Sequence, residues 1–445
     1  MSEVATIAMS NVDKKTKEGE TPVKLCNFVD VYRNWAITKD LIPTLMSATA
    51  KPQEIEKFTL SKGQVALTKD SETRDDIGIA TYIADNMDNV LLGYHCAVLT
   101  PNSALVDSKY LNAYMHSNIV HKYFENNASG SGQRYTLSYD ALLNIPVLLP
   151  DLELQKGIGQ IFSNIDRKIA LNRQINDNLE AMARQLYDYW FVQFDFPDEN
   201  GRPYKSSGGK MILNKDLHLC VPEKWDVCEL HDFILDNNTG DWGYDSKSDE
   251  HPIEVTCIRG ADIIRLINLP QRYIKTRNAS KFLHPWNIVI EVSGGSPIQA
   301  TGRCALITPG VLKRNGGKVT CSNFCHAFTM QEDFYSAYFY YTWKVLYDNN
   351  NMFNYEGKTS GIKNFMTSMF LANKWVRVPQ DLMMSFYEKV KVIYKEIDNN
   401  IEEISSLSKQ RNELLPLLMN GQATVNYHLS LAHITPTTLA PLCTP

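Results

Sequence analysis

Two segments of the chain carry apolar residues at intervals of three and four positions, the spacing that places side chains on one face of an α-helix. In residues 151–193 this face comprises Ile158, Ile161, Ile165, Ile169, Ile175, Leu179, Met182 and Leu186. In residues 380–421 it comprises Val390, Ile393, Ile397, Ile401, Leu407, Leu414 and Leu418, with Arg411 where the first segment has Leu179. Because proline is absent from both segments until Pro416, each predicts a helix of about 40 residues, roughly 60 Å long.

A lone helix cannot bury such an apolar face, so the two helices are expected to pair as a coiled coil. A parallel pair would need a long return path through the chain. An antiparallel pair instead places one globular domain at each end and gives a pseudo-two-fold molecule from one chain.

The globular segments that precede the two helices also repeat each other. Phe58, Val65, Gly78 and Ile83 recur in order as Phe282, Val289, Gly302 and Ile307, and Ser131, Gly132, Leu142 and Pro150 recur as Ser360, Gly361, Leu371 and Pro379. The predicted fold class is α/β (α+β), with two similar β-rich domains separated by two long helices. The predicted segments are a disordered tail (1–22), domain 1 (23–150), helix 1 (151–193), a linker (194–219), domain 2 (220–379), helix 2 (380–421) and a second tail (422–445).

Basic residues recur on loops at matching places in the two domains. A polar loop between two β-rich runs carries Lys69 and Arg74 in domain 1, and its counterpart runs from Ser293 to Arg303 in domain 2. A second loop lies ahead of each helix, and the candidate DNA-binding residues on it are Arg134, Tyr135, Lys358 and Lys363. Glycine lets a backbone approach a phosphate, and basic side chains supply charge. Ordinary turns that serve folding alone remain the alternative.

Composition limits the classes of function. A net charge of −5 argues against nucleic-acid binding, but residues 259–318 contain ten basic and two acidic residues. The apolar fraction of 44% without a long apolar run predicts a globular protein with no membrane anchor or signal peptide. Nine cysteines, an odd number, favour the reducing cytoplasm over a disulfide framework.

Motifs for enzymatic chemistry are missing from the sequence. A phosphate-binding loop ending at Lys358 would need glycine at position 352, which is Met352. The Ser129–Gly132 stretch lacks the third glycine of a dinucleotide loop, and no Asn-Pro-Pro-Tyr or Asp-Pro-Pro-Tyr tetrapeptide occurs. Cys321, Cys325 and His326 lack a second cysteine pair at zinc-ligand spacing, so buried thiols are expected. The sequence predicts neither a cofactor nor a metal.

The segment LPDLELQKGIGQIFSNIDRKIALNRQINDNLEAMARQLYDYWFVQFDF, residues 149–196, closely resembles the central spacer of type I restriction-modification specificity subunits. Residues 378–422 resemble the distal spacer of that family, and Thr301–Arg303 resembles part of its recognition domains. The resemblance covers nearly the whole chain apart from the two tails.

This resemblance implies a non-catalytic subunit that binds double-stranded DNA at a gapped, two-part site, with one part for each domain and a gap set by the helices. It also implies two methyltransferase subunits as partners, bound largely through the spacers, and restriction/translocase subunits in a full restriction enzyme. The expected partner-binding positions are Ile158, Ile165, Ile169, Leu179, Leu186, Ile393, Ile397 and Ile401. A protein-only scaffold is the alternative hypothesis, and the missing motifs disfavour a self-contained methyltransferase.

Overall fold

The computed structural model describes residues 1–132, 134–294, 296, 298–359, 362–423 and 425. The chain divides into two compact units: unit 1 comprises Met1–Leu171 and Ile404–Pro445, and unit 2 comprises Asn172–Glu403. Among the helices of the described residues, none combines the length and the apolar character needed to cross a membrane.

Unit 1 is built mainly of short strands. They are β1 (Ala5–Met9), β2 (Thr21–Cys26), β3 (Ala36–Ile37), β4 (Met46–Ala50), β5 (Val65–Thr68), β6 (Asp70–Ser71), β7 (Ala80–Ile83), β8 (Val90–Leu92), β9 (Cys96–Pro101), β10 (Ser129–Ser131) and β11 (Arg134–Thr136). The helices up to and including the first long one are α1 (Phe28–Arg33), α2 (Pro52–Phe58), α3 (Ser108–Met115), α4 (Asn118–Asn127), α5 (Tyr139–Leu143) and α6 (Leu152–Tyr187). A π-helical turn, Asp188–Val192, follows α6 directly.

Unit 2 contains the remaining strands and helices, except that α10 continues into unit 1 from Ile404. Its strands are β12 (Met211–Asn214), β13 (Leu219–Pro222), β14 (Asp226–Glu229), β15 (Ile234–Thr239), β16 (Ile253–Ile258), β17 (Gln271–Ile274), β18 (Ile288–Glu291), β19 (Ser293–Gly294), β20 (Cys304–Leu306), β21 (Val319–Cys321), β22 (Cys325–Met330), β23 (Glu356–Thr359), β24 (Ile362–Phe365) and β25 (Lys374–Arg377). The helices that follow α6 are α7 (Pro309–Arg314), α8 (Tyr335–Asp348), α9 (Thr367–Leu371) and α10 (Gln380–Met419).

Three sheets of unit 1 recur in unit 2 with the same order of the strands they share, and β3 at the edge of the largest sheet has no counterpart. The largest has the order β1-β9-β5-β7-β3 in unit 1 and β15-β22-β18-β20 in unit 2. A three-stranded sheet, β4-β2-β8 or β17-β16-β21, joins one antiparallel and one parallel pair in both units. A small antiparallel sheet has the order β10-β11-β6 or β23-β24-β19. The prediction of two similar β-rich domains is confirmed.

Central strands of the two largest sheets show why these residues form strands. All four residues of β5 and all four of β18 are buried, as expected of a strand covered on both faces. Val65 and Leu67 contribute to one apolar core, and Ala66 between them faces another. In β18, Ile288 and Ile290 likewise share one core while Val289 faces a second. Alternation along the strand therefore places one sheet between two cores.

Within unit 2, α6 and α10 run antiparallel, as predicted. Asn172 Nδ2 donates to Glu403 Oε2 at 2.6 Å, and Asn400 Nδ2 donates to Asn176 Oδ1 at 2.8 Å. Further along, the rings of Tyr187 and Phe386 lie 6.2 Å apart. Residue numbers thus rise along α6 as they fall along α10, and the polar contacts between the apolar ones fix the register of the pair.

The structure corrects the prediction that residues 1–22 are a disordered tail. Strand β1 pairs with β9 over its full length, and the amino group of Met1 donates to the Ile145 carbonyl at 2.7 Å. Val4 and Val12 are buried. The charged run that follows Val12 dominates the composition of this segment and conceals its apolar positions.

The predicted linker, 194–219, is more ordered than its glycine and serine content suggested. Phe194 and Phe196 are buried against Trp225, and β12 pairs with β13 as a hairpin. Aromatic burial therefore ties this segment to unit 2. Of the predicted tail 422–445, only Gln422, Ala423 and Val425 are described, and the remainder lies outside the described residues.

Candidate nucleic-acid interface

The small sheet of unit 1 gathers several basic residues around one carboxylate, Asp70. Asp70 Oδ2 lies 2.7 Å from His95 Nδ1, 3.1 Å from Arg134 Nη2 and 3.7 Å from Lys69 Nζ. Strand pairing explains the cluster, because Tyr135 and Thr136 on β11 lie opposite Ser71 and Asp70 on β6. Sequence analysis named Lys69 and Arg134 but missed Asp70 and His95, since only the fold brings them together.

The arginine of this cluster is exposed to solvent, whereas the carboxylate beneath it is not. Burial alone would raise the pKa of Asp70, but hydrogen bonds from His95, Thr136 and Arg134 and the charge of Lys69 hold it below its usual value. The carboxylate side chain is 10% exposed, whereas Arg134 is 56% exposed. An ionised Asp70 thus positions Arg134 from beneath, through Nη2, while more than half of the Arg134 side chain stays exposed.

The loop between β6 and β7 carries Arg74, the other arginine predicted for unit 1. Arg74 is exposed, and its guanidinium lies 5.1 Å from the ring centroid of Tyr135. The aromatic face attracts the cation and restrains it without occupying its hydrogen-bond donors. Two of the predicted DNA-binding residues, Arg74 and Tyr135, are therefore in contact.

In unit 2 the predicted arginine is engaged inside the protein. Arg303 donates from Nε and Nη2 to the two carboxylate oxygens of Glu291, at 2.8 and 2.6 Å. Glu291 is 3% exposed and Arg303 only 15%, and these hydrogen bonds raise the pKa of Arg303. A bidentate pair of this kind uses the edge with which arginine would bind guanine. Arg303 therefore holds β18 and β20 together in this structure, and sequence analysis missed Glu291 as its partner.

Lys363 is likewise paired with a buried carboxylate. Its Nζ lies 2.8 Å from Glu356 Oε2 and 5.0 Å from the Phe353 ring centroid. Glu356 also accepts from the amide of Thr301 at 2.7 Å. Although burial opposes its charge, the hydrogen bonds from Lys363 and Thr301 hold the pKa of Glu356 below its usual value.

The last two predicted residues of unit 2 lie on the same small sheet. Ser293 donates to Asn364 Oδ1 at 2.5 Å across β19 and β24. Lys358 lies on β23, and its side chain is outside the described part of the structure. The sheet order brings together the strands that carry Ser293, Lys358 and Lys363.

The predicted partner-binding residues divide into two groups. Ile158, Ile169 and Ile397 are buried within their own units, with at most 5% of each residue exposed, so another subunit cannot reach them there. This part of the prediction is corrected, because the helices and the adjoining domains use these side chains as core. The partly exposed remainder are Ile165, Leu179, Leu186, Ile393 and Ile401.

The cysteine-rich stretch of unit 2 is apolar rather than metal-binding in character. Cys257, Cys321 and Cys325 are buried, and burial raises the pKa of Cys325 to about 11 and that of Cys257 to about 12. Thiols with such pKa values stay protonated near neutral pH. Across the residues that the structure describes, no group of three or more His, Cys, Asp or Glu side chains could hold a metal ion.

Comparison with known proteins shows which family the chain resembles. Residues 2–181 match the type I restriction modification DNA specificity domain. The chain is 33% identical over 140 residues to the type I restriction enzyme HindI specificity subunit of Haemophilus influenzae, an alignment that covers 31% of the chain but only 30% of that protein. It is 24% identical over 376 residues to the MjaIX specificity subunit of Methanocaldococcus jannaschii, covering 82% of the chain and 78% of that protein. A crystal structure of the type I S subunit from M. genitalium aligns with a TM-score of 0.47 at 14% identity, covering 94% of each chain.

The described residues thus combine a duplicated β-rich fold and two long helices with a match to a DNA specificity domain over residues 2–181. The chain is similar to specificity subunits of type I restriction enzymes.

Proposed function

We propose that the chain recognises a two-part, gapped DNA site and directs a type I methyltransferase or restriction complex to it. Each unit would bind one part of the site. The observation that carries this proposal is the recurrence of the same three sheets in both units, each with basic residues on its small sheet. Two copies of one fold in a single chain supply two recognition surfaces that are free to differ in sequence preference.

The proposed partners are double-stranded DNA, two methyltransferase subunits and, in a nuclease-competent complex, restriction/translocase subunits. The chain itself would carry no catalytic step, in keeping with the missing phosphate-binding and methyltransferase motifs, and would act in the cytoplasm. The partly exposed apolar residues of α6 and α10 offer a surface for a methyltransferase subunit. The side chains already buried in the core have no accessible surface left for a partner.

Genome-wide mapping of methylated adenines tests the proposal. Cells would express the chain together with the methyltransferase subunit encoded beside it, and single-molecule sequencing would locate the modified bases. Cells with the methyltransferase subunit alone are the control. A gapped two-part motif methylated on both strands, present only with the chain, supports the proposal. A short continuous motif, or no methylation from a methyltransferase shown to be active, would favour the protein-only scaffold instead.

A further inference from the structure

The β19–β20 loop of unit 2 presents an apolar side chain to solvent. Ile298 is 93% exposed, more than any other large apolar residue in the part of the chain that the structure describes. Single exposed apolar residues are common on protein surfaces, so exposure alone carries little weight. The position of Ile298 in the fold is more informative.

The β19–β20 loop is the counterpart of the β6–β7 loop of unit 1. β6 and β19 are edge strands of the two small sheets, and β7 and β20 pair with the equivalent strands β5 and β18. The β6–β7 loop carries the exposed Arg74 beside Tyr135. Arg74 and Ile298 therefore occupy corresponding loops on the two candidate recognition surfaces.

Contacts at the base of the β19–β20 loop hold it in place. Ser296 and Gln299 exchange backbone hydrogen bonds at 3.0 and 3.3 Å, and the Ile298 amide donates to Ser296 Oγ at 3.3 Å. The Ala300 carbonyl accepts from Tyr347, and Arg303 pairs with Glu291. Since the Ser296 hydroxyl and the Arg303 guanidinium bond within the protein, Ile298 is the side chain of the described loop residues that is most available to a ligand.

From this arrangement we infer that Ile298 contacts the 5-methyl group of a thymine in the half-site bound by unit 2. The inference rests on the proposed function. In the major groove a guanidinium suits guanine, whereas an apolar side chain distinguishes thymine by its methyl group. The two units would then recognise different base chemistry, arginine-based in unit 1 and methyl-based in unit 2, and the target would be asymmetric.

Removal of the thymine methyl group tests the contact directly. Once methylation mapping has given the motif, each thymine of a cognate duplex would be replaced singly by deoxyuridine, and binding by the chain–methyltransferase complex measured by fluorescence anisotropy. Loss of one buried methyl group should weaken wild-type binding about fourfold at one thymine. Ile298→Ala should weaken binding to the unmodified duplex by about the same factor or more, and should no longer respond to deoxyuridine at that thymine.

A matched control is Ile264→Ala, which shortens another exposed isoleucine of unit 2, 68% exposed, and should keep the wild-type response. The inference is rejected if wild type is indifferent to every replacement, if Ile298→Ala keeps the full response, or if the motif contains no thymine. A complex that methylates no two-part motif rejects the proposed function as well, so the two failures are distinguishable.

Discussion

Arg303 shows how a residue that resembles a DNA contact in sequence can serve the fold. Its guanidinium and the Glu291 carboxylate are both largely buried and joined by two hydrogen bonds. Removing one partner of such a pair leaves an uncompensated buried charge, which typically costs about 3–5 kcal/mol.

Arg303→Met is therefore expected to lower the free energy of unfolding of unit 2 by about 3 kcal/mol, and adding Glu291→Gln should recover part of the loss. Denaturant unfolding followed by tryptophan fluorescence reports on this unit, because six of the seven tryptophans lie within residues 172–403. Unchanged stability of Arg303→Met together with lost DNA binding would show instead that the guanidinium contacts DNA.

His116 is a largely buried base in unit 1 that makes the fold sensitive to acid. It stacks on Trp35 with ring centroids 4.3 Å apart, and its Nε2 lies 2.9 Å from the Ala80 carbonyl. Burial, with smaller contributions from the charges of His121 and Arg411, lowers the pKa of His116 to about 3. The folded chain therefore keeps this ring neutral at a pH where the unfolded chain binds a proton.

The neutral His116 ring contributes fully to the free energy of unfolding above about pH 6.5. This contribution is lost as the pH falls from there toward 3, by about 1.4 kcal/mol per pH unit. His116→Phe keeps a stacked ring but cannot titrate. Between pH 7 and pH 5 its free energy of unfolding should therefore fall by about 2 kcal/mol less than that of the wild type. Calorimetric unfolding at both pH values measures the difference. His231→Phe, at an exposed position of unit 2, is the control, and an equal acid sensitivity of His116→Phe and wild type would contradict the assignment.

At the scale of elements, a few polar contacts that lie among the apolar contacts of α6 and α10 fix the register of the two helices. Asn172 is 1% exposed and bonded to Glu403, and Asn176 is bonded to Asn400. A buried amide must find its partner, so a slip of one helix along the other would leave polar groups unsatisfied.

Under the proposed function, shortening both helices together should shorten the tolerated gap. Continuing the antiparallel register beyond Asn172 and Glu403 matches residues 168–171 with residues 404–407. Deleting both sets removes about 6 Å, since an α-helix rises 1.5 Å per residue, and DNA rises about 3.4 Å per base pair. The expected result is a gap about two base pairs shorter in the methylation map, with both half-sites unchanged. An unaltered gap would contradict a spacing role for these helices.

At the scale of the whole molecule, net charge does not show which basic side chains are available. The chain carries −5 overall, yet Arg74 and Arg134 are both exposed in unit 1, and Arg74 lies over the ring of Tyr135. Much of the basic segment 259–318, by contrast, is paired internally, including Arg259 with Asp262 and Arg314 with Asp398. The position of each charge, more than its count, therefore decides where DNA can bind.

Arg134→Ala is expected to weaken DNA binding several-fold and to reduce the slope of log affinity against log salt by about one, since each phosphate contact releases about one counterion. Titrations of the chain–methyltransferase complex with a cognate duplex at several salt concentrations measure both quantities. Arg202→Ala is a matched control, because Arg202 is 61% exposed and also paired with one aspartate, Asp198. Equal salt slopes for Arg134→Ala and wild type would remove Arg134 from the interface.

The sequence by itself determined the elements and their repetition. Apolar spacing of three and four residues predicted α6 and α10 close to their observed bounds, because a helix that buries one face must carry that period. Recurrence of residues in matching order predicted two similar β-rich domains, and both share their sheet orders. Resemblance of the spacers to those of specificity subunits indicated the family that the comparisons support.

Only the tertiary structure decided which charges remain available. Asp70 lies 64 residues from Arg134 in the sequence, whereas Glu291 lies only 12 residues from Arg303, and Glu356 and Lys363 lie on paired strands of one hairpin. In each case strand pairing brings the carboxylate to its basic partner. The same pairing leaves Arg134 exposed, encloses Arg303 and draws the first residues of the chain into a sheet. Local patterns record which face of an element is apolar, whereas the partner of a charged group depends on which strands pair, which no local pattern specifies.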